Sequence, residues 1–263
     1  MRTVLVTGAA GGMGYAVCRR LAADGYAVFG LDLRLPERVP GCEFIRVDLC
    51  DPGSVDEVFG VLSERGTALD CIYHAAGIYE LDSLLELGED EWRRVIDVNL
   101  TAVCRVNRVF FPLLSPGGRI VITTSELAPL YPLPFTGVYA AVKAALDRYA
   151  DALRMETQLL GHPVVVVRPG AVDTGMLPVS KQKLERFCKD TSLYSVSAEK
   201  FRRIVERVEA RAVPPERIAD LAAKIVAARR PKAVYSINRN PGLLFLNALP
   251  KPLARALVRR LLR

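Results

Sequence analysis

The sequence predicts one α/β domain over residues 1–263, a doubly wound parallel sheet with strand order 3-2-1-4-5-6-7. Three observations lead there. Short β-branched runs alternate with helix-forming runs along the chain, with no block of strands alone. A glycine-rich turn follows the first strand directly. The small, acidic and hydroxyl residues that stand out fall just past strand ends, where such sheets bind ligands. An apolar content of 51% supplies a large core for this length.

Thr3 to Thr7 is the first strand, β-branched and ending in glycines as buried parallel strands do. Gly8-Ala9-Ala10-Gly11-Gly12-Met13-Gly14 follows, then a helix from about Tyr15 to Asp24. Strand, glycine turn and helix in this order form a dinucleotide-binding unit. Gly8 permits the tight turn, Gly12 lets the backbone approach a pyrophosphate, and Gly14 lets the helix pack on the strand. Unpaired N–H groups at the helix start face the phosphates. The spacing is Gly-x-x-x-Gly-x-Gly, since Val17 stands where the generic pattern has its last glycine. The second strand, Ala27 to Leu31, closes on Asp32, whose carboxylate accepts from an adenosine ribose and repels a 2′-phosphate. Arg34 works against that preference, but the expectation is NAD over NADP.

Glu43 to Val47 is the third strand, ending in Asp48-Leu49, and Pro52 to Arg65 is a helix. Asp70 to His74 is the fourth strand, running into Ala75-Ala76-Gly77, where small side chains let a flat ring lie on the backbone. His74 reads as structural. Glu89 to Leu114 reads as one long helix containing Asn99, a residue usually on the surface in mid-helix. Gly118 to Thr124 is the fifth strand, and Tyr139 to Leu160 a helix. Pro163 to Arg168 is the sixth strand, followed by Pro169-Gly170-Ala171-Val172-Asp173-Thr174. Residues 171–211 break the rhythm where a lid would lie. There Met176, Leu177, Val179, Leu184, Phe187, Tyr194 and Phe201 suit a pocket wall and an ordinary helix pair equally well. Pro214 to Arg229 is a helix and Ala233 to Ile237 a last strand.

Between the fifth strand and its helix lies the stretch that carries chemistry. Tyr139 and Lys143 are four residues apart, hence one turn apart on one helix face, with Ser125 at the strand end opposite. A phenol has a pKa of about 10, and a nearby ammonium favours its phenolate. Such a pair passes a proton to or from an alcohol oxygen. Tyr-x-x-x-Lys alone is common on amphipathic helices, and only its setting raises it above a surface pair.

Six cysteines are scattered without a Cys-x-x-Cys pair and read as reduced thiols of a cytoplasmic protein. The first strand begins too early to leave room for a signal peptide, and no apolar run is long enough to span a membrane. The two histidines lack partners at ligand spacing, so no metal is expected. The net charge of +7 is uneven, with nine Lys or Arg and no Asp or Glu from Arg229 onward. That pattern argues against a nucleic-acid partner. The tail, residues 238–263, carries Leu253, Ala254, Leu257, Val258, Leu261 and Leu262 at helical spacing with arginines between. It suits a membrane surface, but a helix covering the subunit or its partner is preferred.

Together these residues resemble the short-chain dehydrogenases/reductases, a Rossmann-like family, over roughly residues 1 to 237. Thr7-Gly8-x-x-x-Gly12-x-Gly14 is similar to that family's cofactor turn, including Ala10 and Met13, and Asp48-Leu49 to its adenine contact. Ala75-Ala76-Gly77 matches the end of its Asn-Asn-Ala-Gly element, with His74 and Ala75 replacing the asparagines. Asn99, Ser125, Tyr139 and Lys143 fit its catalytic tetrad, with Ser125 to Tyr139 one residue longer than usual. Pro169-Gly170 through Val172 to Thr174 resembles the segment holding the nicotinamide carboxamide. The resemblance implies hydride transfer between NAD(P) and a secondary alcohol or ketone, a small and partly apolar substrate. Tyr139 is then the acid/base, Lys143 lowers its pKa and binds the ribose, Ser125 holds the substrate oxygen, and Asn99 anchors a water. It also implies a homodimer or homotetramer formed through the long helices. An epimerase or dehydratase on the same scaffold and a silent NAD-binding regulator are the competing readings.

Overall fold

The computed structural model describes residues 2–263. Seven strands make one parallel sheet in the order β3-β2-β1-β4-β5-β6-β7. They are β1 (Thr3–Thr7), β2 (Ala27–Asp32), β3 (Cys42–Arg46), β4 (Leu69–His74), β5 (Leu114–Thr123), β6 (Val164–Pro169) and β7 (Val234–Ile237). The helices are α1 (Gly12–Ala23), α2 (Pro52–Glu64), α3 (Glu89–Ile96), α4 (Ala102–Phe110) and α5 (Gly137–Thr157), then α6 (Met176–Asp190), α7 (Ser195–Glu209), α8 (Glu216–Ala227), α9 (Pro241–Ala248) and α10 (Lys251–Leu262).

Both sheet faces are covered, which is why the strands read as continuous apolar runs. Successive side chains point to opposite faces. Val4, Val6, Val121 and Val165 therefore pack under α1 and α8 with Val17, Leu21, Ile218 and Ile225. Leu5, Ile72, Ile120 and Val166 pack under α2, α4 and α5 with Val55, Leu62, Phe110 and Leu146. This arrangement gathers the carboxyl ends of the strands at one edge, where the candidate residues lie.

Three expectations need correcting here. Residues 89–114 are not one helix. α3 and α4 are separated by a π-helical turn, Asp97–Thr101, and α4 ends in a 3-10 turn, Phe111–Leu113. The cause is Asn99, whose amide competes for helix carbonyls and loop groups; far from lying on the surface, it is fully buried. Leu114 belongs to β5 because it pairs with Leu69, and the register then slips so that Cys71 faces Arg119. α1 also begins earlier than expected, at Gly12. A Cβ at Gly14 would stand 2.0 Å from the Gly8 carbonyl oxygen, so only glycine allows this tight first turn.

α6 and α7 form a pair with a small core of their own, Leu184, Phe187 and Phe201 around Phe135. Met176, Leu177 and Phe201 also face a cavity, so the segment is at once a helix pair and a pocket wall; Val179 is exposed. The basic tail forms α9 and α10. α10 lies along α7 and buries Ala254 and Leu262, while Leu253 and Leu261 stay exposed. No helix among the described residues is long and apolar enough to cross a membrane, and all six cysteines are free thiols.

Candidate active site

The glycine turn leaves β1 with Gly8 at φ 70°, and a Cβ there would stand 2.5 Å from the Ala76 nitrogen. The turn therefore presses on the exit of β4. Thr7 fastens that exit: its carbonyl accepts from the Ala75 N–H at 3.2 Å and its hydroxyl from the Ala76 N–H at 3.3 Å. The Ala10 N–H donates to Asp32 Oδ2 at 2.9 Å, and the Arg34 N–H to Asp32 Oδ1 at 3.1 Å. Asp32 thus shapes the turn from the neighbouring strand and keeps further lone pairs for another donor. Gly11 offers no side-chain cap and α1 has no acid in its first turn, so its leading N–H groups are open to an anion. The space beside Gly12 is taken by Thr174, 2.6 Å from where a Cβ would lie, so that glycine admits the loop after β6. These residues fit a dinucleotide's diphosphate and ribose.

Asp48 and Leu49 stand at the exit of β3. Asp48 Oδ1 accepts from the Cys50 N–H at 2.8 Å, and the Leu49 carbonyl accepts from Arg105 at 2.6 Å. They lie outside the central cavity, as do the glycine turn's Gly8, Ala10, Gly12 and Gly14, and Asp32.

That cavity, about 190 Å³, opens over the ends of β4, β5 and β6. Met13, Ala75, Ala76 and Gly77 line one side, and Pro169, Gly170, Val172 and Thr174 another. Asn99, Ser125, Tyr139 and Lys143 meet in its floor. The Asn99 amide donates to the Ile78 and Val95 carbonyls, each at 3.0 Å, and its oxygen accepts from the Ile78 N–H at 3.3 Å. It ties the π-helical turn to the loop after β4. A Cβ at Gly77 would stand 2.8 Å from the Asn99 oxygen and 3.4 Å from the Lys143 nitrogen, so glycine lets the two approach the backbone.

Lys143 Nζ donates to the Thr123 carbonyl at 3.3 Å and stands 5.7 Å from the centre of the Tyr139 ring. Burial pushes the Lys143 ammonium down to about 8. Burial pushes the Tyr139 phenol up to about 12, with the Ser125 hydroxyl pulling the other way. The expected lowering by Lys143 does not appear: loss of water around the phenolate dominates, and the ammonium is itself driven toward neutrality. Among three adjacent hydroxyls, Thr124 is committed to Asp147 at 3.1 Å, and Arg168 holds that same carboxylate. Ser125 is the one that acts on the phenol.

Three ionisable cavity residues carried no signal strong enough to be singled out from the sequence. Tyr79 sets its ring edge against Tyr139, centroids 4.9 Å apart at 67°. Glu126 is buried, its carboxyl raised by that burial, and its Oε2 accepts from the Asn240 N–H at 2.6 Å. Glu209 reaches the cavity from the end of α7. None carries a motif; Glu126 alone had a signal, its place beside Ser125. His74 lies outside the cavity, buried, with its Nε2 2.7 Å from the Asn107 oxygen.

Sheet order and cleft are those of a doubly wound, dinucleotide-binding fold. Residues 2–185 match the sequence model of the short chain dehydrogenases, and the chain belongs to that family. It is 28% identical over 246 residues to the probable short-chain type dehydrogenase/reductase VdlC of Helicobacter pylori, covering 91% of this chain and 89% of that protein. It is 26% identical over 231 residues to the 3-ketodihydrosphingosine reductase of Bacteroides thetaiotaomicron, covering 87% and 84%. A short chain dehydrogenase from Burkholderia cenocepacia, solved in complex with NADP, superposes with a TM-score of 0.70 at 27% identity over 90% of this chain and 96% of that one.

Proposed function

We propose that the chain transfers a hydride between a nicotinamide cofactor and a secondary alcohol or ketone, with Tyr139 as acid/base. The observation that carries this reading is the convergence of Tyr139, Lys143 and Ser125 on one largely apolar cavity at the sheet's carboxyl edge. The cofactor would supply the hydride; the protein supplies position and protons. Ser125 hydrogen-bonds the substrate oxygen and holds it beside the phenol. Tyr139, pushed up to about 12, keeps its proton at neutral pH and is ready to give it to a carbonyl oxygen. In the opposite direction Lys143 favours the phenolate that accepts the alcohol proton. Lys143 also binds the ribose, Asn99 anchors a water behind it, and the Pro169–Thr174 segment holds the carboxamide.

Asp32 supports NAD, because a second carboxylate partner for a ribose hydroxyl is a poor neighbour for a 2′-phosphate. The Burkholderia relative with NADP and the exposed Arg34 support the alternative. Residues 171–211 serve as a lid over an apolar substrate, in keeping with the 3-ketodihydrosphingosine reductase among the relatives. Exposed Ile96 at the end of α3, Met155 on α5, and Leu159 and Leu160 in the turn just beyond it support a homodimer or homotetramer. Six free thiols support a cytoplasmic setting.

The test is a panel of ketones and secondary alcohols with NADH, NADPH and their oxidised forms, followed by absorbance. NADH is expected to give the higher kcat/KM; a strong NADPH preference would overturn the reading of Asp32. Tyr139→Phe should lower kcat by about 10²–10⁴-fold while cofactor fluorescence still reports binding. Full activity in that variant would overturn the assignment.

A further inference from the structure

Glu209 is the cavity's unexplained charge. It ends α7 beside Phe201, Ile204, Val205 and Val208, all of which face the same space. Its Oε2 is sealed from solvent and has no hydrogen-bond partner among the described residues. The arginines of its own helix do not serve it: Arg202 pairs with Glu199 and Glu206, and Arg203 and Arg207 are exposed. The other carboxylate of the cavity, Glu126, is occupied by the Asn240 N–H. Among the described residues the only cation lining the cavity, Lys143, is engaged on the floor with the Thr123 carbonyl. A carboxylate oxygen that has lost water without gaining a donor is costly, and a ligand donor removes that cost.

We propose that Glu209 recognises a protonated amine on the substrate, so that the enzyme acts on amino ketones or amino alcohols with an apolar body. This rests on the function proposed above. Tyr79 lines the same cavity as Glu209, and its ring packs on Tyr139. The reacting oxygen sits at Ser125 and Tyr139, the apolar body lies along α7, and the ammonium sits at Glu209. The ion pair forms in a partly enclosed, largely apolar space, where a charge-assisted hydrogen bond is strong.

The experiment compares two alkyl ketones of equal length, one with a primary amine remote from the carbonyl. The amino ketone should show a kcat/KM about ten- to a hundred-fold higher, mostly through KM, the size of one hydrogen bond to a charged group. Glu209→Gln should shrink that ratio by a similar factor, and an unchanged ratio would overturn the proposal. Thermal shift of the wild-type protein with hexylammonium against hexanol is a second readout that needs neither turnover nor a variant. A larger rise in Tm with the ammonium supports the proposal, and equal shifts overturn it. If neither ketone is turned over but the ammonium shift is present, the redox reading falls while the cation site stands.

Discussion

Single residues set the protonation states of this protein, and burial sets them more than neighbours do. His74 shows it away from the chemistry. Burial pushes its imidazole down to about 4 from 6.5, and the Asn107 hydrogen bond only partly offsets this. Between those values the unfolded chain binds a proton that the fold refuses. Stability is therefore fully present above pH 6.5 and is lost as pH falls through the window toward 4, by about 3 kcal/mol in total. His74→Asn should flatten that part of the curve, as read from urea midpoints at a series of pH values. An identical slope in the variant would show that other groups cause the loss. Tyr139 and Lys143 obey the same rule: each is driven toward its neutral form by desolvation. Their spacing on one helix face was plain in the sequence. The sign of the phenol's shift was not, because it depends on how much chain covers it.

Elements meet this site through two departures from regular geometry. One is the π-helical turn that swings Asn99 inward. The other is Phe135, in the loop between β5 and α5, held at φ 65°. A non-glycine residue in that region costs on the order of 1–3 kcal/mol. Its ring lies 4.6 Å from Phe187, 5.2 Å from Tyr194 and 5.3 Å from Phe201, joining both helices of the pair. Losing such a buried ring costs about 3–5 kcal/mol, so the cluster outweighs the strain. Glu86 secures the α6–α7 connection from below, accepting from the Thr191 hydroxyl at 2.7 Å and the Ser192 N–H at 2.8 Å. Phe135→Ala should speed amide exchange in α6 and α7 by about 100-fold or more, while α1 and α8 keep their protection. Unchanged exchange in the helix pair would show that the ring does not clasp it.

At the scale of the whole molecule the C-terminal segment closes back on the site. The Asn240 N–H binds Glu126, and the Asn247 side-chain oxygen accepts from the Tyr131 N–H at 2.5 Å. Leu243 reaches the cavity between them. α9 thus braces the loop that carries Ser125, and α10 braces α7. Asn247→Ala should cost about 1 kcal/mol and lower Tm by about 2–4 °C, with a raised KM as the loop loosens. Wild-type melting and KM in that variant would mean the contact is idle. The tail's covering role, preferred from its apolar spacing, accounts for its buried side, and its arginines face outward.

Strand and helix alternation, the glycine turn and the Tyr–Lys spacing could all be read from the chain alone, because each is written in local periodicity or in neighbouring residues; the sheet order followed from the fold class they define. Tertiary structure alone decided what depends on distant partners. Asn99 is buried because Ile78 offers it both bonding groups, Glu126 is occupied because Asn240 reaches it, and Glu209 Oε2 has no donor among the described residues because Arg202 pairs elsewhere on its helix. Charge, solvation and hydrogen bonding are set by what surrounds a group in space, and linear order does not record that.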